Sequence, residues 1–217
     1  MTKKKVKRKP KKLLIVIIVL LIIAIAVGSY FLFFKKENVK EAKVISKIDK
    51  YGYVLKSNKS DAYKKLFKEL ETVLSGKVDE KKYVKVITKM FIVDFYSLND
   101  RTAKTDVGGV DFVHKDILDN FILNAEDTFY KYVESNIYKE RKQSLPTVDK
   151  ITISSIEKTT FSYGEQTDEN AYKVKANWTY KDSASSSGYQ DEATFIYVHD
   201  GKKLGLVEIS DTNESQE

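Results

Sequence analysis

Residues 13–34 form an apolar run of 22 residues, LLIVIIVLLIIAIAVGSYFLFF, with no charged side chain. A helix of that length rises about 33 Å, against roughly 30 Å for the hydrocarbon core of a bilayer. A single helix also satisfies its own backbone hydrogen bonds in lipid. Tyr30, Phe31, Phe33 and Phe34 gather at one end, and Lys35 and Lys36 follow. The pattern predicts a membrane-spanning helix over 13–34. A cleaved signal peptide is the competing reading: Ala24-Ile25-Ala26 has the form of a cleavage site, and residues 13–23 have the length of a signal core. Cleavage after Ala26 would leave VGSYFLFF as an exposed apolar terminus, which favours an uncleaved anchor.

Beyond the span the hydrophobic period becomes that of a folded domain. Residues 35–43 are polar and charged, a short stalk, and residues 44–55 read as a short strand or extended arm. Three helices are expected next. The first starts near Asn58 or Ser60, carries Tyr63, Leu66, Phe67, Leu70, Val73 and Leu74 at helical spacing, and stops at Gly76. The second follows Asp79; its stripe of Val84, Ile87, Phe91, Phe95 and Leu98 is widened by Tyr83, Val86, Met90 and Val93, so it is expected to be buried on more than one side. The third follows Gly108-Gly109, with Val113, Ile117, Phe121, Ala125, Phe129 and Val133 spaced by four. After Pro146 the period falls to two. Tyr172, Val174, Ala176, Trp178 and Tyr180 alternate with polar residues, and the parity break between Ile153 and Ile156 predicts a bulge in the preceding strand. Residues 183–188 read as a hairpin loop, and residues 189–198 and 204–209 as strands joined by a turn at His199-Asp200-Gly201-Lys202. The expected fold class is α+β: about three helices on a curved four-stranded antiparallel sheet over residues 44–210, with a frayed tail at 211–217.

Charge assigns an orientation. The net charge of +7 comes from residues 1–12, where Lys3, Lys4, Lys5, Lys7, Arg8, Lys9, Lys11 and Lys12 occur without an acid; the remainder holds 30 basic and 31 acidic side chains. The positive-inside rule places this tail in the cytoplasm against anionic lipid, and residues 44–210 outside. A folded part with no cationic excess is not expected to bind nucleic acid. The absence of cysteine excludes disulfides, thiolate metal sites, a cysteine nucleophile and a lipid-modified cysteine.

Phe91-Ile92-Val93-Asp94-Phe95-Tyr96-Ser97-Leu98 is an aromatic-rich helix segment, and Asp106-Val107-Gly108-Gly109-Val110-Asp111-Phe112 is a glycine turn into the next helix. On these stretches and on element order, residues 45–210 resemble the nuclear-transport-factor-two-like (cystatin-like cone) domains of bitopic scaffold proteins in type IV secretion systems and Gram-positive conjugation machines. The resemblance implies a non-enzymatic envelope domain without a cofactor, which self-associates or docks other membrane proteins. The lysine-, isoleucine-, asparagine- and tyrosine-rich composition also looks like that of an AT-rich bacterial genome.

Candidate chemistry is sparse. Asp94 interrupts the most apolar helical stretch; it is a candidate general base in the mouth of a cone, weighed against simple pairing with Arg101 or a lysine. His114 opens the third helix near Asp111 and Asp116 but lacks a helical partner with metal-ligand spacing. His199 falls in the expected turn and reads as a solvated residue. Trp178, Tyr180 and Phe195, with Phe161, are candidates to line a concave sheet face for an apolar or sugar ligand, weighed against core packing. Gly108-Gly109 lacks the lysine and hydroxyl of a phosphate loop and reads as a turn.

Overall fold

The computed structural model describes residues 42–182 and 187–211, together with Leu20, Leu21 and Ile23, which are helical and exposed. The rest of the expected span, the basic tail, the stalk up to residue 41, the serine positions 183–186 and the last six residues lie outside the described residues. Among the described residues no helix is long and apolar enough to cross a membrane. The chain divides into two units after Glu41, and the second, residues 42–217, carries the fold.

That fold is α+β. A hairpin of β1 (Val44–Ile48) and β2 (Tyr53–Lys56) comes first, then α1 (Asp61–Leu74), α2 (Glu80–Tyr96) and α3 (Leu118–Asp127). A four-stranded antiparallel meander follows: β3 (Val148–Tyr163), β4 (Gln166–Tyr180), β5 (Glu192–Asp200) and β6 (Lys203–Ser210), paired in chain order. The segment expected as a short strand or extended arm is thus a hairpin of two short strands. Gly52, at φ +69°, supplies the left-handed residue that reverses it.

The first two helices start where their caps lie. The Ser60 hydroxyl accepts the Tyr63 N–H at 3.3 Å, and the Asp79 carboxylate accepts the Lys82 N–H at 3.2 Å. Helix α2 is buried almost all round, from Tyr83 to Tyr96. It packs on α1 and on β3 and β4, which explains why its apolar girth exceeds a single stripe.

The third helix is a correction. Residues 110–133 form two 3-10 turns (Val110–Phe112 and Lys115–Ile117) and then the short α3. Val113 instead makes a parallel bridge to Leu206, and the His114 N–H donates to the Leu206 carbonyl at 2.9 Å, so this backbone is committed to β6. At the far end Thr128 leaves helical geometry (φ −120°, ψ −90°) and the Tyr130 N–H reaches back to the Ala125 carbonyl at 2.8 Å. That reversal buries Tyr130, whose hydroxyl donates to the Phe95 carbonyl (2.6 Å) and accepts the Gly108 N–H (3.1 Å). A four-residue period thus ran across a helix and two turns, because all three press apolar side chains against the same core.

In β3 the pairing register shifts at three places, one between Ile153 and Ser155, where the parity break predicts a bulge. The β3–β4 turn is Gly164-Glu165, and β4 begins six residues before the alternating stretch that marked it. His199 and Asp200 are the last residues of β5 rather than part of the turn, which is Gly201-Lys202 with Gly201 at φ +63°. His199 pairs with Leu204 across the β5–β6 ladder.

Candidate functional site

The face of the sheet turned to the helices is filled with side chains. Trp178 and Phe195 are buried, at 3% and 0% exposure. The Tyr96 ring lies 4.3 Å from Trp178 and the Phe91 ring 5.8 Å from Phe195, centroid to centroid. Trp178 Nε1 donates to the half-buried Tyr180 hydroxyl at 3.0 Å. Trp178 and Phe195 therefore pack between α2 and the sheet, Tyr180 packs half-buried against the same core, and Phe161 is half-buried in β3.

Asp94 is the centre of a buried ionic knot. Lys59 Nζ donates to both of its oxygens (2.7 and 2.6 Å), Arg101 Nη2 to Oδ1 (3.1 Å), and the Gly109 N–H to Oδ2 (2.9 Å). Burial alone would raise its pKa. The charges of Lys59 and Arg101 and the Gly109 hydrogen bond outweigh that cost and hold the carboxyl below its usual value. A general base needs the opposite displacement. The same contacts account for the glycine pair: the Gly109 N–H is taken by Asp94 and the Gly108 N–H by Tyr130, so neither points at a phosphate site.

His114 is buried, at 3% exposure, and caps the Lys115–Ile117 turn: its Nδ1 accepts the Asp116 N–H at 3.3 Å. Its ring meets the Tyr163 ring edge-on at 5.3 Å. It lines a hollow of about 260 Å³ together with Val110, Leu118 and Gly205. No hydrogen bond or ring contact joins any two of Asp94, His114 and Trp178 among the described residues.

A polar cluster forms instead around His199, which is half-buried. Asp168 Oδ2 accepts the His199 backbone N–H and lies 2.7 Å from Nδ1, while Nε2 lies 3.4 Å from Glu80 Oε1. The Tyr172 hydroxyl donates to Glu80 Oε2 at 2.9 Å, and burial with that contact pushes its pKa up to about 12. Burial opposes ionisation of Asp168, but the bonds from His199 and the Asn170 N–H prevail and hold its pKa below the usual value. Glu80, Tyr172 and His199 line a pocket of about 500 Å³ with Lys50, Lys81 and Lys202 at its margin. Among the described residues no group of three or more histidines and carboxylates is arranged to hold a metal ion. The polar partners of His199, Asp168 on β4 and Glu80 on α2, lie 31 and 119 positions away in the chain. The one legible trace was parity: carried four residues back from Tyr172, the two-residue period puts Asp168 on the same face of β4.

Asp94 and Asp168 together predict an acid limit. A carboxyl with a depressed folded pKa adds stability above its unfolded pKa of about 3.9, and that stability is lost as pH falls through the folded value. The urea midpoint of the full chain in detergent is expected to hold from about pH 7 to 5 and to fall below about pH 4. Fluorescence of Trp178, the only tryptophan, reads it. A midpoint unchanged at about pH 2.5 would refute this assignment.

No protein-family model, curated protein or solved structure matches the chain.

Proposed function

We propose that this chain is a single-pass membrane protein, N-terminus in the cytoplasm, whose residues 44–210 act outside as a non-enzymatic interaction domain of the nuclear-transport-factor-two-like kind. Its role in this reading is that of a scaffold in a bacterial envelope, secretion or conjugation complex, docking other membrane proteins or a second copy of itself. The span is supported by the uncharged run over 13–34 and the basic residues before it. The scaffold role rests chiefly on one observation: the space between α2 and the sheet, where a ligand-binding cone would keep its cavity, is occupied by Tyr96, Phe91, Trp178 and Phe195. A domain packed in this way works through its surface. Leu123, Tyr132, Ile137 and Tyr138, each more than half exposed, supply apolar surface for that purpose. Anchoring raises the effective concentration of the domain for neighbours in the same membrane.

Because the chain has no cysteine, single substitutions report topology without background. In intact bacterial cells stripped of their wall, a membrane-impermeant maleimide is expected to label Tyr138→Cys at once and Lys9→Cys only after lysis. Labelling of neither before lysis, or recovery of the chain in the cytosolic fraction, would overturn the reading. The pocket beside His199 favours a second reading, an anchored ligand-binding module. That reading requires His199→Ala to abolish function while crosslinking to membrane partners persists.

A further inference from the structure

The β1–β2 hairpin has one face in the core and one face free. Tyr53 and Leu55 are buried, Tyr53 against the Tyr83 hydroxyl at 2.7 Å, and the Ser46 hydroxyl donates to Glu71 of α1. The strand period therefore turns Lys47, Val54 and Lys56 the other way, and the register shift between Val44 and Ser46 brings Val44 round to that side and leaves Ile45 unpaired and exposed. Lys47 sits directly opposite Val54, and Val44 opposite Lys56, so aliphatic and cationic side chains interleave across the two strands. Val44 and Ile45 are 50% and 56% exposed.

Charge separates this segment from the rest of the domain. Residues 42–59 carry five lysines and one aspartate, whereas residues 60–217 carry 22 basic and 28 acidic side chains. Lysine ion pairs among the described residues involve Lys59, Lys64, Lys82 and Lys115. Lys43, Lys47 and Lys56 have no carboxylate partner among those residues. A cationic face of this kind is attracted to a negatively charged plane.

The chain also limits where the hairpin can go. Residues 35–43 separate the apolar run from Val44, and nine residues reach at most about 30 Å even when fully extended. On the reading of residues 13–34 as a span, on which this inference rests, the hairpin is held within that distance of the lipid headgroups at all times. Lysine attraction to an anionic membrane acts within about 8 Å at physiological ionic strength, and interleaved aliphatic side chains enter the headgroup region once the lysines bring them there.

We infer that the outer face of the β1–β2 hairpin is a membrane-docking surface, which lays Val44, Ile45 and Val54 against anionic phospholipid with Lys43, Lys47 and Lys56 on the headgroup phosphates. This docking fixes the orientation of the domain above the bilayer, and with it the surface offered to partners.

The test uses the full chain in vesicles, with an environment-sensitive fluorophore on Ile45→Cys or, as a control, on Glu165→Cys in the β3–β4 turn. Vesicles of phosphatidylcholine are compared with vesicles containing phosphatidylglycerol, and lipid-borne quenchers report contact. Quenching is expected at position 45 and not at 165, in the anionic vesicles alone, with loss in high salt and in the triple variant Lys43→Glu, Lys47→Glu, Lys56→Glu. Equal quenching in neutral vesicles overturns docking through charge. Vesicles that carry the chain on flotation without quenching at position 45 overturn the docking and leave the anchor standing. Failure of the chain to float with either vesicle removes the anchor and the inference together.

Discussion

Asp94→Ala is expected to destabilise the domain by about 3–5 kcal/mol, because it strands buried cations rather than only deleting a contact. Arg101 is 7% exposed, and its guanidinium keeps just the longer approach to Asp106 at 3.7 Å once Asp94 is gone. Lys59, Arg101 and the Gly109 N–H all lose their principal acceptor at the same time. The urea midpoint followed by Trp178 fluorescence measures the loss, and a change under about 1 kcal/mol would show that the knot is not structural. Asp94→Asn keeps the shape and one acceptor oxygen but not the charge, so it too is expected to destabilise. Loss of function on that substitution therefore says nothing about catalysis until folding has been measured.

Gly108→Ala is expected to cost more than about 3 kcal/mol, at the upper end of overpacking effects, and to leave little folded protein. A Cβ at this position would sit 2.6 Å from the Asp94 carbonyl carbon, closer still to its oxygen, and 3.0 Å from Arg101 Nη1. Helix backbone on one side and a pinned guanidinium on the other leave no flexible atom to yield. Gly201→Ala is the useful contrast, since a Cβ there meets nothing within 4 Å and its cost is confined to the left-handed backbone, roughly 1–2 kcal/mol. Comparable losses for the two variants would contradict the close approach of the 108–109 turn to α2.

Legibility in the sequence followed the range of the forces involved. Helices α1 and α2 and the strand alternation of β4 were readable because caps and periodicity are local: Ser60, Asp79 and the Tyr172–Tyr180 alternation lie inside the elements they define. The segment around α3 was misread because its backbone is committed to Leu206, a partner some ninety positions away that leaves no mark on the local period. Asp94 was legible as an anomaly, and Arg101 as a partner, since seven residues separate them. Lys59 was not, because a lysine before a helix looks like any other exposed charge until α1 and α2 close around it. The cluster at His199 failed for the same reason: Asp168, Glu80 and Tyr172 meet there only through tertiary pairing.

Both margins of the main sheet are guarded. β6 carries the 113–114 segment along its flank, and β3 is interrupted over its sixteen residues by three shifts of register in its pairing with β4, which break the regularity of its free side as well. An intruding polypeptide seeking to extend the sheet would lose alignment every few residues and never find an unbroken row of donors and acceptors. The domain thereby resists fusing into fibrils, and any assembly it enters must grow by side-chain recognition instead of backbone zippering.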